Sequence, residues 1–272
     1  MDSNFDPDAR TYDATRDFSP ASRKLIVESI LHAVSATRAS RFLELGVGTG
    51  RFALPIILRG YNYTGIDISE NMLRRFRRKL PRSGRKARLL NADATGLPFA
   101  DGVFDVVLAM LVLHWMPDYR KALAETRRVL RQGGSLIFYN GRSRSANVDE
   151  PDDSDGLSEV DIAWQRILNA YRRNRPAPVV AETDILEALE GMGAKISTRV
   201  IGRWVRKITP KESIARLRTR SFSGVRDVPD ADFTRLVSEL ERWCKERFES
   251  LDVVLRRQRK FKYHVIRFSD AG

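Results

Sequence analysis

The sequence predicts an α/β fold, a mostly parallel sheet with helices on both faces. Two observations carry that prediction. From Arg41 onward, short apolar runs alternate with amphipathic helical stretches. One of the runs, Phe104–Met110, is continuously apolar except for Asp105, as in a strand buried on both faces. Alternation of this kind implies βαβ units, whose right-handed crossovers place helices on either side of the sheet.

The elements follow in order. Residues 1–18 read as a polar arm. Ser19-Pro20 reads as an N-cap and first helical residue, and Leu25, Ile26, Ile30, Leu31 and Val34 continue at helical spacing to about Ser35. Phe42–Leu45 is a first strand, ending at glycines, and Phe52–Leu58 is the apolar part of a helix. Tyr61–Ile66 is a second strand, stopping at Asp67. Ser69 caps a helix carrying Met72, Leu73 and Phe76. Ala87–Asn91 and Phe104–Met110 are the third and fourth strands. Asp118–Leu130 reads as a helix broken by Gly133-Gly134, with Ser135–Tyr139 as a fifth strand. Residues 142–158 are polar and acid-rich, a connection. Helices are expected over 159–173 and 182–190, strands over 195–208 and 260–268, and two helices within 211–257 around Ser223-Gly224. That makes seven strands. We read 1–272 as a single catalytic domain: an N-terminal arm and helix (1–40), a ligand-binding core (41–146), and the remaining strands with helical lid insertions at about 147–178 and 209–257.

Composition narrows the class. The chain has 272 residues, with 48 basic and 35 acidic side chains for a formal charge of +13, and 42% hydrophobic residues. That hydrophobic share excludes a wholly disordered chain. A single cysteine, Cys244, excludes an internal disulfide framework and multi-cysteine metal sites, and no metal site is expected. The acidic start, Met1-Asp2-Ser3-Asn4, lacks the basic and apolar stretches of a secretory signal. The longest apolar run, Val106–Leu113, falls well short of the roughly 20 residues of a membrane span. A cytoplasmic protein without a membrane partner is the expectation. Arg74–Arg88 holds nine basic residues and no acid. It reads either as a polyanion-binding face or as a solvated helix and turn. Phe76 alone accompanies it as an aromatic, so a nucleic-acid partner is not favoured.

In open parallel sheets ligands bind beyond the carboxyl ends of the strands. Four segments fall there: Gly46–Gly50, Asp67, Asn91–Asp93 and Leu111–His114. In Glu44-Leu45-Gly46-Val47-Gly48-Thr49-Gly50 the glycines allow a sharp turn into a helix whose first N–H groups are unpaired. The loop is not a dinucleotide fingerprint, because Arg51 stands where the third glycine is required, and no Gly-Lys-Ser/Thr phosphate loop is present. It suits a nucleoside ligand without a pyrophosphate. Asp67, 17 residues after Gly50, is placed to accept from ribose hydroxyls, and Asp93 from an adenine amine, although each alone could be a turn acid.

Five segments together resemble the class I S-adenosylmethionine-dependent methyltransferases, small-molecule type. They are Leu43–Gly50, Gly65–Leu73, Asn91–Ala94 with Leu97-Pro98-Phe99, Phe104–Val107 and Val129–Gly134. Their order and spacing match over about residues 41–140. Gln132 departs from the pattern, standing where proline is frequent. The resemblance implies a Rossmann-like fold with S-adenosyl-L-methionine as cofactor. It implies that Glu44, Gly46, Gly48 and Gly50 hold the methionine part, Asp67 the ribose, Ile68 and Met72 the adenine face, and Asp93 and Ala94 the adenine amine. Leu111 would line the floor, and Tyr12 and Arg16 would belong to an N-terminal lid. The reaction implied is in-line methyl transfer to a small-molecule acceptor with an O, N or C nucleophile.

His114 follows the fourth strand and is the candidate general base, read alternatively as a pocket or turn histidine. Two alternatives stand beside the enzyme reading: an RNA or DNA methyltransferase, resting on the basic charge, and a non-catalytic cofactor-binding protein, since fold does not fix function. Cys244 lies within a helical stretch without a flanking loop, which argues against a covalent thiol mechanism.

Overall fold

The structure, a computed structural model, describes residues 20–80, 87–141, 159–172, 180–220, 225 and 228–269. The expectations for the arm with Tyr12 and Arg16, for Arg82, Arg85 and Lys86, for the whole acid-rich connection, and for Ser223-Gly224 lie outside the described residues.

The elements are α1 (Pro20–Ala33), β1 (Arg41–Leu45), α2 (Ala53–Leu58), β2 (Asn62–Asp67), α3 (Glu70–Lys79), β3 (Ala87–Asn91) and β4 (Phe104–Met110). A 3-10 turn (Leu113–Trp115) leads to α4 (Tyr119–Val129) and β5 (Leu130–Tyr139). Then come α5 (Glu159–Arg172), α6 (Glu182–Gly191), β6 (Ala194–Ile208), α7 (Pro210–Arg218), α8 (Asp230–Arg247) and β7 (Leu255–Phe268). The seven strands form one sheet in the order β3-β2-β1-β4-β5-β7-β6. β1 to β5 pair in parallel and β7 runs antiparallel to β5. The strand order reverses between β1 and β4, which makes the carboxyl ends of these two strands the switch point where such sheets take ligands.

Local chemistry explains the elements that frame this point. Ser69 caps α3 as expected, its hydroxyl accepting from Met72 N at 3.1 Å. Met72, Leu73 and Phe76 are the buried stripe of that helix. In β4 every residue is buried except Asp105, which is intermediate, in keeping with its continuous apolar run. Asp105 itself tethers the strand starts, accepting from Arg41 N at 2.6 Å and from Arg131 Nε at 2.6 Å.

One boundary differs from the sequence reading. Strand β5 begins at Leu130, and Gly133-Gly134 lie inside it. Leu130 pairs with Phe104, and pairing resumes at Ser135 with Val106. The glycine pair therefore forms a bulge in one continuous strand, because pairing with β4 outweighs the local tendency of two glycines to end an element.

The chain divides into two compact units, Met1–Gly141 with Val180–Ile201 and Lys262–Gly272, and Arg142–Val179 with Gly202–Phe261. In the first, Leu43, Leu45, Val107, Ala109, Leu136 and Phe138 of the sheet pack with α4 and with Ile185, Ala188 and Leu189 of α6. In the second, Trp164, Leu168, Ile214, Phe233, Leu240 and Cys244 build a core among α5, α7 and α8. The start of α7 is closed by a capping box in which Thr209 and Glu212 each accept the other's backbone N–H. No helix among the described residues is long and apolar enough to cross a membrane.

Candidate functional site

The site is built from three strand ends that are tied to one another. The backbone leaves β1 at Leu45 and turns through Gly46, Val47 and Gly48. Val47 N donates to Ile66 O at 2.9 Å, so the turn starts in register with β2. Gly48 N then donates to Asp67 Oδ2 at 2.8 Å, while Asp67 Oδ1 accepts from Ser69 N at 2.8 Å. The Asp67 carbonyl accepts from Ala92 N at 3.2 Å and from Asn91 Nδ2 at 3.0 Å, which brings in the end of β3.

Two glycines of the loop are required by space as well as by conformation. Gly46 has φ +60°, and a Cβ there would lie 2.3 Å from Val112 Cγ2. Gly50 has φ +82°, and a Cβ there would lie 2.1 Å from the ring of Phe76. The loop thus packs directly on β4's exit and on α3, leaving a small hollow at the switch point. Glu44, Gly46, Val47, Gly48, Thr49, Arg51, Phe52, Met110 and Leu111 line it.

Glu44 is the buried acid of that hollow, 2% exposed. Tyr63, two residues before its strand partner Gly65 and on the same face, donates its hydroxyl to Glu44 Oε2 at 2.5 Å. Burial pushes the Glu44 carboxyl up to about 8, against the hydrogen bond from Tyr63, and the negative charge of Asp67 adds to the rise. Glu44 therefore favours its neutral, protonated form at neutral pH.

Other residues singled out by the sequence fall as follows. Leu111 lines the hollow with φ +62°, a rare conformation for leucine, and its N–H donates to Tyr139 O at 2.7 Å. Ile68 stands 58% exposed just past Asp67, an apolar side chain held out at the rim. Met72 and Ala94 are buried. Asp93 Oδ1 accepts from Thr95 N at 2.8 Å. His114 lies in the 3-10 turn after β4, with its ring 5.1 Å from that of Trp115 and its carbonyl accepting from Val180 N at 3.0 Å.

The structure adds residues that the sequence reading did not assign. Thr49, Arg51, Phe52 and Met110 line the hollow, and Tyr63 holds Glu44. The i+2 spacing of Tyr63 before the strand partner of Glu44 carries a signal only once the β1–β2 register is known. A larger hollow of about 490 Å³ opens at the other end of the sheet, among Arg41, Asn62, Ala87, Arg88 and Phe104, at the strand starts. Among the described residues no carboxylate lines it, and it lies away from the switch point.

Fold and junction together define an α/β unit of Rossmann-like type. Residues 43–138 match the family model described as a methyltransferase domain, the stretch that resembles the class I S-adenosylmethionine-dependent methyltransferases. It is 38% identical over 134 residues to the phosphatidylethanolamine N-methyltransferase of Cereibacter sphaeroides, covering 48% of this chain and 62% of that protein. It is 43% identical over 99 residues to the demethylmenaquinone methyltransferase of Thermus thermophilus, covering 36% and 45%. It is 31% identical over 151 residues to the malonyl-[acyl-carrier protein] O-methyltransferase of Pectobacterium atrosepticum, covering 56% and 54%. The chain thus spans about half the length of the curated relatives it matches. Among solved structures, the YcgJ protein of Bacillus subtilis superposes with TM-score 0.56 at 17% identity, covering 89% and 98%. The [4+2]-cyclase SpnF superposes with TM-score 0.53 at 19% identity, covering 94% and 85%. These likenesses show the fold.

Proposed function

We propose that the protein transfers a methyl group from S-adenosylmethionine to a small-molecule acceptor. The observation that supports this best is the Gly48–Asp67 junction at the switch point, where a carboxylate at the end of β2 adjoins the glycine turn after β1. The residues suit the cofactor. Asp67 stands beside the glycine turn, where it can take ribose hydroxyls, Ile68 offers an exposed apolar face for a base, and Glu44 lies in the hollow for an ammonium group. When bound, the cofactor supplies a sulfonium-activated methyl group and a neutral thioether leaving group.

The chain's own part is alignment and desolvation. Leu111 and Phe52 wall the hollow against water, and holding a nucleophile in line is worth up to about 7–11 kcal/mol in favourable systems. His114, at the same end of the sheet, is the group we assign to take the acceptor's proton when the nucleophile carries one of high pKa. The acceptors named for the relatives are a phospholipid, a quinone precursor and a carrier-bound malonyl group, so they do not converge on one substrate.

Calorimetric titration with S-adenosylhomocysteine tests the cofactor assignment. Saturable one-to-one binding is expected, and its absence from well-folded protein overturns the proposal. The cyclase among the fold neighbours favours one second reading, cofactor binding without methyl transfer. Failure to methylate any of a broad acceptor panel, alongside tight cofactor binding, would support that second reading.

A further inference from the structure

The connection between β3 and β4, Ala92–Val103, is the one crossover among β1 to β5 that contains no helix. It also carries Asp93 and Ala94. A loop of this length holds its shape only if its backbone groups find partners. Here one side chain on the neighbouring helix holds two of its carbonyls and one of its carboxylates. Arg128 Nη1 donates to Phe99 O at 2.7 Å and to Asp101 Oδ1 at 2.7 Å, and Arg128 Nη2 donates to Leu97 O at 3.0 Å. The guanidinium is itself held in a fork by Glu125, with Nε to Oε1 at 2.8 Å and Nη2 to Oε2 at 2.8 Å. Glu125 Oε2 also accepts from Leu97 N at 2.7 Å, and the Arg128 carbonyl accepts from Gly102 N at 3.0 Å.

The clamp runs straight into the site. Leu97 is the residue after Gly96, whose N–H donates to Asp93 O at 3.2 Å, and Thr95 N donates to the Asp93 carboxylate. The turn 93–96 and the clamped stretch 97–102 are therefore one hydrogen-bonded unit. Ala94 and Leu97 anchor it in the core, 3% and 5% exposed. Only arginine has the planar fork to bind a carboxylate with one edge while donating to two carbonyls with its remaining N–H groups. A lysine has three donors on a single atom and cannot span these partners.

We propose that Arg128, locked by Glu125, is a positioning residue that sets Asp93 and Ala94 for the adenine edge of the cofactor. The inference rests on the cofactor reading given above. It predicts a specific loss, in recognition of the base, from a change on a helix that does not line the hollow.

The test compares S-adenosylhomocysteine with S-inosylhomocysteine, which carries a carbonyl in place of the 6-amino group of adenine. Affinities of both are measured by calorimetry for the wild type, Arg128→Ala and Arg128→Lys. The wild type should prefer the adenine compound. Both variants should lose about tenfold for the adenine compound and much less for the inosine compound, narrowing the preference, as expected when one hydrogen-bonded contact is loosened. An unchanged preference in folded variants, whether both affinities fall together or neither falls, overturns the role of Arg128. Should Arg128→Ala not fold, Arg128→Lys keeps the charge and the stem and decides the matter. A wild type that holds neither compound overturns the cofactor reading itself.

Discussion

The backbone N–H of Gly48 donates to the carboxylate of Asp67 at 2.8 Å, joining the glycine turn after β1 to the end of β2. One side chain thus ties the loop to the neighbouring strand end. Asp67→Ala should weaken S-adenosylhomocysteine binding by about 1–3 kcal/mol through loss of charge-assisted acceptors. Asp67→Asn keeps acceptor oxygen but loses the charge, and should fall between the two. Calorimetry on the three proteins checks the order, and equal affinities would show that Asp67 does not face the cofactor.

Glu44 gives a pH dependence with a defined sign. Its folded pKa is raised by burial from the ordinary 4.5 to about 8, so the folded state binds more protons than the unfolded chain between those values. Stability should therefore fall as pH rises from about 4.5 to about 8, with a limiting slope of about 1.4 kcal/mol per unit, and level off above. Glu44→Gln should remove that component. Urea unfolding at several pH values, with and without the substitution, measures it.

Gly50→Ala would set a methyl group against the Phe76 ring, 2.1 Å away, on a backbone with φ +82°. The expected cost is about 2–5 kcal/mol, from left-handed strain together with overpacking. A denaturant midpoint close to that of the wild type would mean that the turn can move off α3.

Glu182, at the start of α6, is 5% exposed and accepts from His264 Nε2 at 3.1 Å and Lys262 Nζ at 3.1 Å. Burial draws its carboxyl upward, but His264 and Lys262 outweigh burial and hold it below the ordinary range. Its contribution is therefore present above the unfolded value near 4.5 and lost as pH falls through the folded one. Glu182→Ala should destabilise the protein by about 3–5 kcal/mol at neutral pH, because Lys262 and His264 lose their shared acceptor. The difference between variant and wild type should shrink in acid, which thermal melts at neutral pH and near pH 3 would show.

Much of the fold was readable in the chain because it rests on local patterns. The alternation of apolar runs and amphipathic stretches, the Ser69 cap and the buried run of β4 each follow from neighbours in sequence. The glycine loop and Asp67 were readable for the same reason, since each directly ends a strand. The break expected at Gly133-Gly134 was misread, because the partner strand that turns those residues into a bulge lies elsewhere in the chain. Arg128 went unassigned because its partners Leu97 and Phe99 are about thirty positions away.

The order of amino acids alone determined which segments become strands and helices, and which side chains stand at strand ends, since those depend on spacing and on capping chemistry between near neighbours. Only the tertiary structure decided that Tyr63 reaches Glu44, that Asp67 closes on Gly48, and that Arg128 grips the Leu97–Gly102 loop. Those contacts depend on strand register and on helix packing, which come from burying apolar surface across the whole sheet and leave no mark on any short stretch of chain.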